Sequence, residues 1–378
     1  MFCLGEGSIM VSRIKCVDIL RGFAIAAMLA CDSPGNTDRF YPQMRHEPWN
    51  GINFSDFGFP FFLITMTMMI PIVMGRKLDS SAKIIPMIIK TITRSITLVL
   101  LGLFLNAFPK FDFHTMRIPQ TLVRMGIAYL VVSIIYIIAK KFLKKDEYII
   151  GLFLLLGITI ILGYYFKMKP YGFDINGNLE QIIDTKYLAG HLAYITWDPE
   201  GIMSTIPSIA TGMFGVVIGD LLNFKTNNYY KVLSIAVLST VGYIGAKVFS
   251  NYMPYNKMIW SSSYVLMTMS VTALIIAVLY LICDTFNKDR LFKPFIVLGS
   301  SPIFVYMVSE LLIRTLWKVP IYDKQFTEPY IFCKWFTFKF ITPWSGIVLD
   351  SFYFSILYVI FWMWIMSKFY EKGKFIKL

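Results

Sequence analysis

Apolar segments of about twenty residues recur from Val17 almost to the C-terminus, and they limit this chain more than any other feature. Roughly 20 apolar residues are what a helix needs to cross the hydrocarbon core of a bilayer. Within lipid, only helices and closed barrels satisfy their own backbone polar groups. The candidate spans are Val17–Cys31, Phe54–Met74, Ile84–Phe108, Pro119–Ile138, Tyr148–Phe166, Met203–Leu222, Lys231–Phe249, Ser262–Cys283, Phe295–Leu316 and Gly346–Ser367. Only 16% of the residues are charged, against about 25% in soluble domains, so lipid must be the solvent for most of the surface. The expected fold class is an all-α polytopic membrane protein of about ten transmembrane helices, one integral unit over residues 1–378. Arg13 and Lys15 ahead of an apolar run resemble the start of a signal peptide. Asp18 and Arg21 interrupt that run and no small-residue cleavage site follows, so a retained first helix is expected.

The net charge of +13 lies in short loops rather than in a basic domain, which argues for helix orientation and against nucleic-acid binding. One set of loops carries Arg13 with Lys15, Arg76 with Lys77, the cluster 140–145, Lys225, Lys288 with Arg290, and the tail from Lys372. The opposite loops, 32–53, 167–202 and 317–345, are longer and rich in acids and aromatics. The positive-inside rule then places both termini in the cytosol and the long loops outside, in a multi-pass protein of the plasma membrane. Long loops on a rigid scaffold commonly carry binding or catalysis, although packing caps look alike in sequence. A homodimer through those loops stays open.

The densest chemistry lies in residues 32–60, DSPGNTDRFYPQMRHEPWNGINFSDFGFP. A near-neutral pKa makes histidine the usual general base, and His46 has Glu47, Trp49, Asn50 and Asp56 close in sequence. Pro48 and Gly51 make the segment turn, which can return Asp56 to His46. A carboxylate on one imidazole nitrogen fixes the tautomer and supports the imidazolium. An interfacial histidine with a helix-capping aspartate is the plainer account of the same residues. Charges inside apolar segments are costly, about 2.5–3.5 kcal/mol on insertion scales. Asp18 and Arg21 are three apart and share a helix face, so they can pair. Lys90, Arg94 and Arg124 form either a basic path for an anionic group or a structural ion-pair network. The stretch HLAYITWDPEGIMST brings His191, Trp197, Asp198 and Glu200 together, as helix caps or as a polar, stacking wall for a sugar or amine. Pro60, Pro207 and Pro302 lie in apolar segments, where each is expected to free a backbone carbonyl. Cys3, Cys16, Cys31, Cys283 and Cys333 have no metal or redox spacing, so no metal is expected. Phosphate-cradling glycine loops, HExxH, GxSxG and an arginine row of the voltage-sensor kind are missing.

Four motifs in one order carry a resemblance. They are Arg13, Asp18, Arg21 and Gly22; HEPWNGINFSDFGFP, with His46, Trp49, Asn50, Gly51, Asp56 and Pro60; RIPQTLVRMGIAY from Arg117; and DPEGIMSTIPSIATGMFGVVIG from Asp198. This set resembles the heparan-alpha-glucosaminide N-acetyltransferase family, grouped with the YeiB-like transmembrane acyltransferases. The lysine- and isoleucine-rich composition suggests a prokaryotic member. The resemblance implies transfer of acetyl groups from cytosolic acetyl-CoA to a terminal glucosamine across the bilayer, with His46 as the residue tied to catalysis. Asp32 stands where many relatives have asparagine, Val123 where they have glutamine, and Ser301 where asparagine is common. The candidate catalytic set is therefore His46, Asp56, Asn50 and Asp32, with Asn50 or a backbone N–H as oxyanion donor. Acetyl-CoA is expected near Arg13, Asp18, Arg21, Lys90, Arg94 and Arg124, and the amino-sugar acceptor near Trp49, His191, Trp197, Asp198 and Glu200. An O-acyltransferase of an extracytoplasmic glycan, or a solute or glycan transporter, are the alternatives, although the paired halves common in transporters are not evident.

Overall fold

The structure, a computed structural model, describes residues 14–80, 83–143, 145–323 and 328–373. Arg13, expected at the donor site, lies outside them. In chain order the main helices are α1 (Lys15–Asp32), α2 (Phe54–Asp79), α3 (Ile84–Ala107), α4 (Thr121–Phe142) and α5 (Asp146–Tyr171). They continue with α6 (Leu179–Leu188), α7 (Ile202–Asn223), α8 (Asn228–Phe249), α9 (Ser262–Thr285), α10 (Arg290–Leu298), α11 (Pro302–Leu316) and α12 (Asp350–Glu371). A two-residue antiparallel pairing, Pro320–Ile321 with Tyr330–Ile331, closes the loop after α11. The protein is an all-α, multi-pass integral membrane protein.

Among the described residues, eight helices are long and apolar enough to span a bilayer, and α10 with α11 makes a ninth if the pair counts as one span. That pair is bent by 68°. The sequence reads as one span over 295–316, but Pro302 lacks the N–H that would continue α10 and starts a new helix instead. Pro60 likewise falls in the first turn of its α-helical stretch, where backbone N–H groups have no intrahelical partner. Of the three prolines expected to free a carbonyl, Pro207 is the one inside a helix. Helix α1 reaches the expected tenth place by a different route. Its 18 residues include Lys15, Asp18, Arg21 and Asp32, too many charges for a lipid-facing helix, yet thirteen of them are buried against protein.

Helices α2 and α7 form the centre, 78% and 72% buried over their most apolar stretches, whereas α3, α5, α8 and α12 are 22–33% buried and face lipid. Helix ends meet at two faces. At the first, the Lys15 and Cys16 N–H groups donate to Asp284 (2.8 and 2.8 Å), Arg76 to Asn223 (2.8 Å), and Lys140 to Asp146 (2.6 Å). The basic loops collect there. The second face gathers Asp32, Asp56, Arg117, Asp198 and Lys257.

Small residues set the central crossings, where close backbone approach replaces a hydrophobic drive between helices. A Cβ on Gly22 of α1 would stand 1.8 Å from the Phe295 carbonyl oxygen, and one on Gly299 would stand 2.4 Å from the Asp18 carbonyl oxygen. The arginine–glycine pair at 21–22 is thus partly a packing requirement. Gly22→Ala should cost about 1–3 kcal/mol, the usual range for overpacking, and lower the unfolding temperature in detergent. Gly163→Ala on α5, with nothing within 4 Å of the added carbon, should leave it unchanged.

Candidate active site

The loop from α1 to α2 is a chain of short turns that ends by docking on α2. Asn53 and Asp56 form a capping box around the first turn of α2: the Asn53 N–H donates to Asp56 Oδ2 at 2.9 Å. Gly51 adopts φ +134°, a conformation that side chains rarely allow, and its N–H donates to the Tyr255 carbonyl at 2.8 Å. Asn50 Oδ1 accepts from Asn256 Nδ2 at 3.2 Å. The Trp-Asn-Gly turn is thereby tied to the α8–α9 loop.

His46 meets that loop. Its Nδ1 lies 2.9 Å from Asp56 Oδ1, and Asp56 is buried. A carboxylate can only accept, so in the neutral ring the Asp56 contact favours the proton on Nδ1 and leaves Nε2 as the acceptor. Asp32 Oδ1, at the end of α1, is 3.8 Å from Nε2. Lys257 Nζ stands 3.0 and 3.2 Å from the two ring nitrogens and 3.7 Å from Asp56 Oδ1. Burial and the Lys257 ammonium push the imidazole pKa down, but Asp32 and Asp56 outweigh them and leave it above its ordinary value. A cavity of about 100 Å³ opens here, lined in part by His46, Asp32, Ser55, Thr121, Glu200 and Lys257. The Ser55 hydroxyl is buried and has no hydrogen-bond partner among the described residues.

A second network walls this cavity. Arg117 donates to Asp198 through Nε (2.7 Å) and a terminal nitrogen (2.5 Å), and also contacts Glu200. Asp198, fully buried, further accepts from the Ala193 and Glu200 N–H groups at 2.7 and 2.9 Å. Arg124 donates to the Pro199 carbonyl and to Ser204, and its guanidinium lies 4.8 Å from the Trp260 ring centre. On α6, Asp184 accepts from the Ile202 N–H at 3.0 Å, and burial raises its carboxyl to about 6. Burial first, and then Asp184, push Glu180 well up as well. A Cβ on Gly201 would lie 2.0 Å from Asp184 Oδ2, which explains the glycine of Asp-Pro-Glu-Gly.

The expected residues are therefore divided. His46, Asp56 and Asp32 come together, and Glu200 joins them in the cavity wall. Asn50 is exposed and serves as a tether. Of the sugar wall expected from Trp49, His191, Trp197, Asp198 and Glu200, Glu200 lines the cavity and the other four are engaged by the protein itself. Trp197 is stacked on Tyr194 at 4.3 Å and meets the edge of Trp49 at 5.3 Å, and Trp49 Nε1 donates to the Phe173 carbonyl at 2.8 Å. His191 Nδ1 is 2.7 Å from the Met116 carbonyl oxygen. Asp198 has its lone pairs filled and Arg124 is bound to the 199–204 turn, away from any basic path. Asp18 and Arg21 pair at 3.5 Å, as their spacing predicts. Lys90 is exposed on α3, while Arg94 lies 4.9 Å over Tyr129 with its buried Nε unpartnered among the described residues. Lys257, Ser55, Arg117, Glu180 and Asp184 escape the sequence reading of the site. Arg117 had a signal, since it opens a recognised motif; Lys257 had none.

The pattern of a protein family described as a domain of unknown function (DUF5009) matches residues 8–200. The chain belongs to that family. It is also distantly related to heparan-alpha-glucosaminide N-acetyltransferase, with 24% identity to the Mus musculus protein over 80% of this chain and 54% of that one. The Homo sapiens protein is 25% identical over 79% of this chain and 53% of its own length. The chain thus spans about half the length of the curated relatives it matches.

Opposing charges on His46 give a test independent of any reaction. Asp32→Asn removes a charge that favours the imidazolium, so the His46 pKa should fall. Lys257→Met removes one that disfavours it, so the pKa should rise. Isotope-labelled histidine NMR over a pH series should resolve the two opposite shifts against His114 and His191.

Proposed function

We propose that the chain is a transmembrane acyltransferase that moves an acetyl group from acetyl-CoA to an amino sugar on the opposite side of the plasma membrane. The observation that carries this reading is the buried Asp56 carboxylate holding His46 Nδ1 at 2.9 Å in the wall of a cavity. The distant relationship to two heparan-alpha-glucosaminide N-acetyltransferases supports the reaction class. The basic face of the helices is taken as cytosolic by the positive-inside rule. The unpartnered Arg94 Nε offers a donor that an anionic group of acetyl-CoA can fill on the way in.

His46 Nε2 takes a proton from the acceptor amine while the nitrogen attacks the thioester carbonyl carbon, and Asp56 steadies the imidazolium. The Ser55 hydroxyl and the Lys257 ammonium are the donors for the developing oxyanion, in place of Asn50. As the C–N bond forms and the C–S bond breaks, His46 returns its proton to the departing thiolate. Products are the N-acetyl sugar and free CoA, and no redox step or metal is needed. Asp32 lines the cavity and is the base for the extra proton of an amine that arrives as ammonium; that proton is released to solvent, and the neutral amine is the species that attacks.

Protein in liposomes, with labelled acetyl-CoA on the basic-loop side and glucosamine opposite, provides the test. His46→Ala should lower kcat by about 10²–10⁴, the range for a general base, and Ser55→Ala by about 10²–10³, as for one oxyanion donor. A folded His46→Ala protein with wild-type transfer would sink the assignment. Labelling of hydroxyls instead of amines across an acceptor panel would move it to O-acylation.

A further inference from the structure

A cavity of about 380 Å³ lies beside the candidate active site, with Asp32, Phe108, Glu310, Arg314, Trp317 and Lys318 in its lining. The His46 cavity measures about 100 Å³ and has Asp32 in its wall too. Small-ligand sites usually hold about 300–1,000 Å³. The smaller space therefore suits a reacting amine and an acetyl group but not the body of a sugar, whereas the larger one suits a ring. Asp32 lines both spaces, so they are neighbours with one carboxylate at their boundary.

We infer that the larger cavity holds the pyranose ring of the acceptor, with its amine passing Asp32 to reach His46. This rests on the amino-sugar reading above and adds the place where that sugar binds. The lining chemistry fits a polyhydroxylated ring. Glu310 and Arg314, four apart on α11, pair at 3.2 Å, and Arg314 also donates to the Leu105 carbonyl at 2.5 Å. A neutral pair of this kind offers donors and acceptors side by side, the combination that neighbouring hydroxyls bind. Arg314 keeps further N–H groups for ring hydroxyls, whereas Asp32 and Glu310 set two carboxylates against a polyphosphate, so a nucleotide is the poorer occupant. Trp317, just beyond α11, supplies an apolar face with a polar handle. The indoles of Trp49 and Trp197 are engaged with each other and with Tyr194, and do not offer a second such platform.

Calorimetric titration of the purified full chain with methyl glucosaminide, run beside acetyl-transfer kinetics on the same glycoside, tests the inference. Trp317→Ala and Glu310→Gln should each weaken binding about tenfold, the scale of one ring contact or one charged hydrogen bond. In transfer the loss should appear in KM rather than in kcat. Two variants are used so that one misfolded protein, detected by gel filtration, leaves the other to decide. Unchanged affinity in a folded variant, or no binding of the glycoside to wild type, overturns the sugar site even if transfer to glucosamine proceeds. Binding that both variants weaken, without any transfer by wild type, supports the site and overturns the proposed reaction instead.

Discussion

Asp56 serves two structures with one carboxylate, and the arrangement of the face that holds His46 follows from it. Its Oδ2 caps the first turn of α2, where the helix dipole favours negative charge. Its Oδ1 holds His46 Nδ1. Burying an ionised carboxylate is expensive unless its lone pairs are filled, and the backbone cap supplies part of that compensation whether or not the histidine is charged. The imidazole is therefore oriented by a group that the fold would need anyway. Capping and orientation, which compete as explanations of the sequence, are carried by the two oxygens of one carboxylate.

The remaining charges at this face follow the same economy of position. Asp198, Glu200, Asp184 and Glu180 crowd around the start of α7, and Arg117 and Arg124 answer them from the loop before α4 and from its first turns. Removing one partner of such a buried pair commonly costs about 3–5 kcal/mol because the other is left uncompensated. The network holds the 198–204 turn rigidly against the cavity, so that of its four acids Glu200 alone reaches the cavity lining. Rigidity of this kind keeps a general base within hydrogen-bond reach of its target.

What could be read from the sequence depended on whether the physics was local. Spans were legible because lipid imposes a length on each segment separately, and Asp18–Arg21 because a helix places residues three apart on one face. His46 with Asp56 was legible because both belong to one loop with its turn residues in view. Lys257 was not. It sits 211 positions from His46 in a short polar loop, and nothing in NYMPYNKM marks it out until α9 packs beside α1 and α2. Trp197, expected to offer a stacking face, lies against Tyr194 of its own loop and meets Trp49 edge to face from another. The break between α10 and α11 had its signal in the sequence, Pro302 after Gly299, Ser300 and Ser301, but the apolar length on both sides read as one span.

Helix α1 is the least lipid-like of the long helices, and its charges make sense only if it runs through protein. At 18 residues it is about 27 Å long, just short of a hydrocarbon core of about 30 Å. Its N-terminus is fixed by Asp284 at the basic face, and its C-terminal Asp32 lines both cavities. Gly22 and Gly299 let it cross α10 with backbones nearly in contact, which leaves it little freedom to slide or rotate. A one-residue rotation would turn Asp32 by about 100° and remove it from both cavity walls. On the proposed reaction, the tight glycine crossing in mid-helix therefore fixes the position of the carboxylate that steers the acceptor amine. A packing fault there should disturb transfer without touching any residue that contacts substrate.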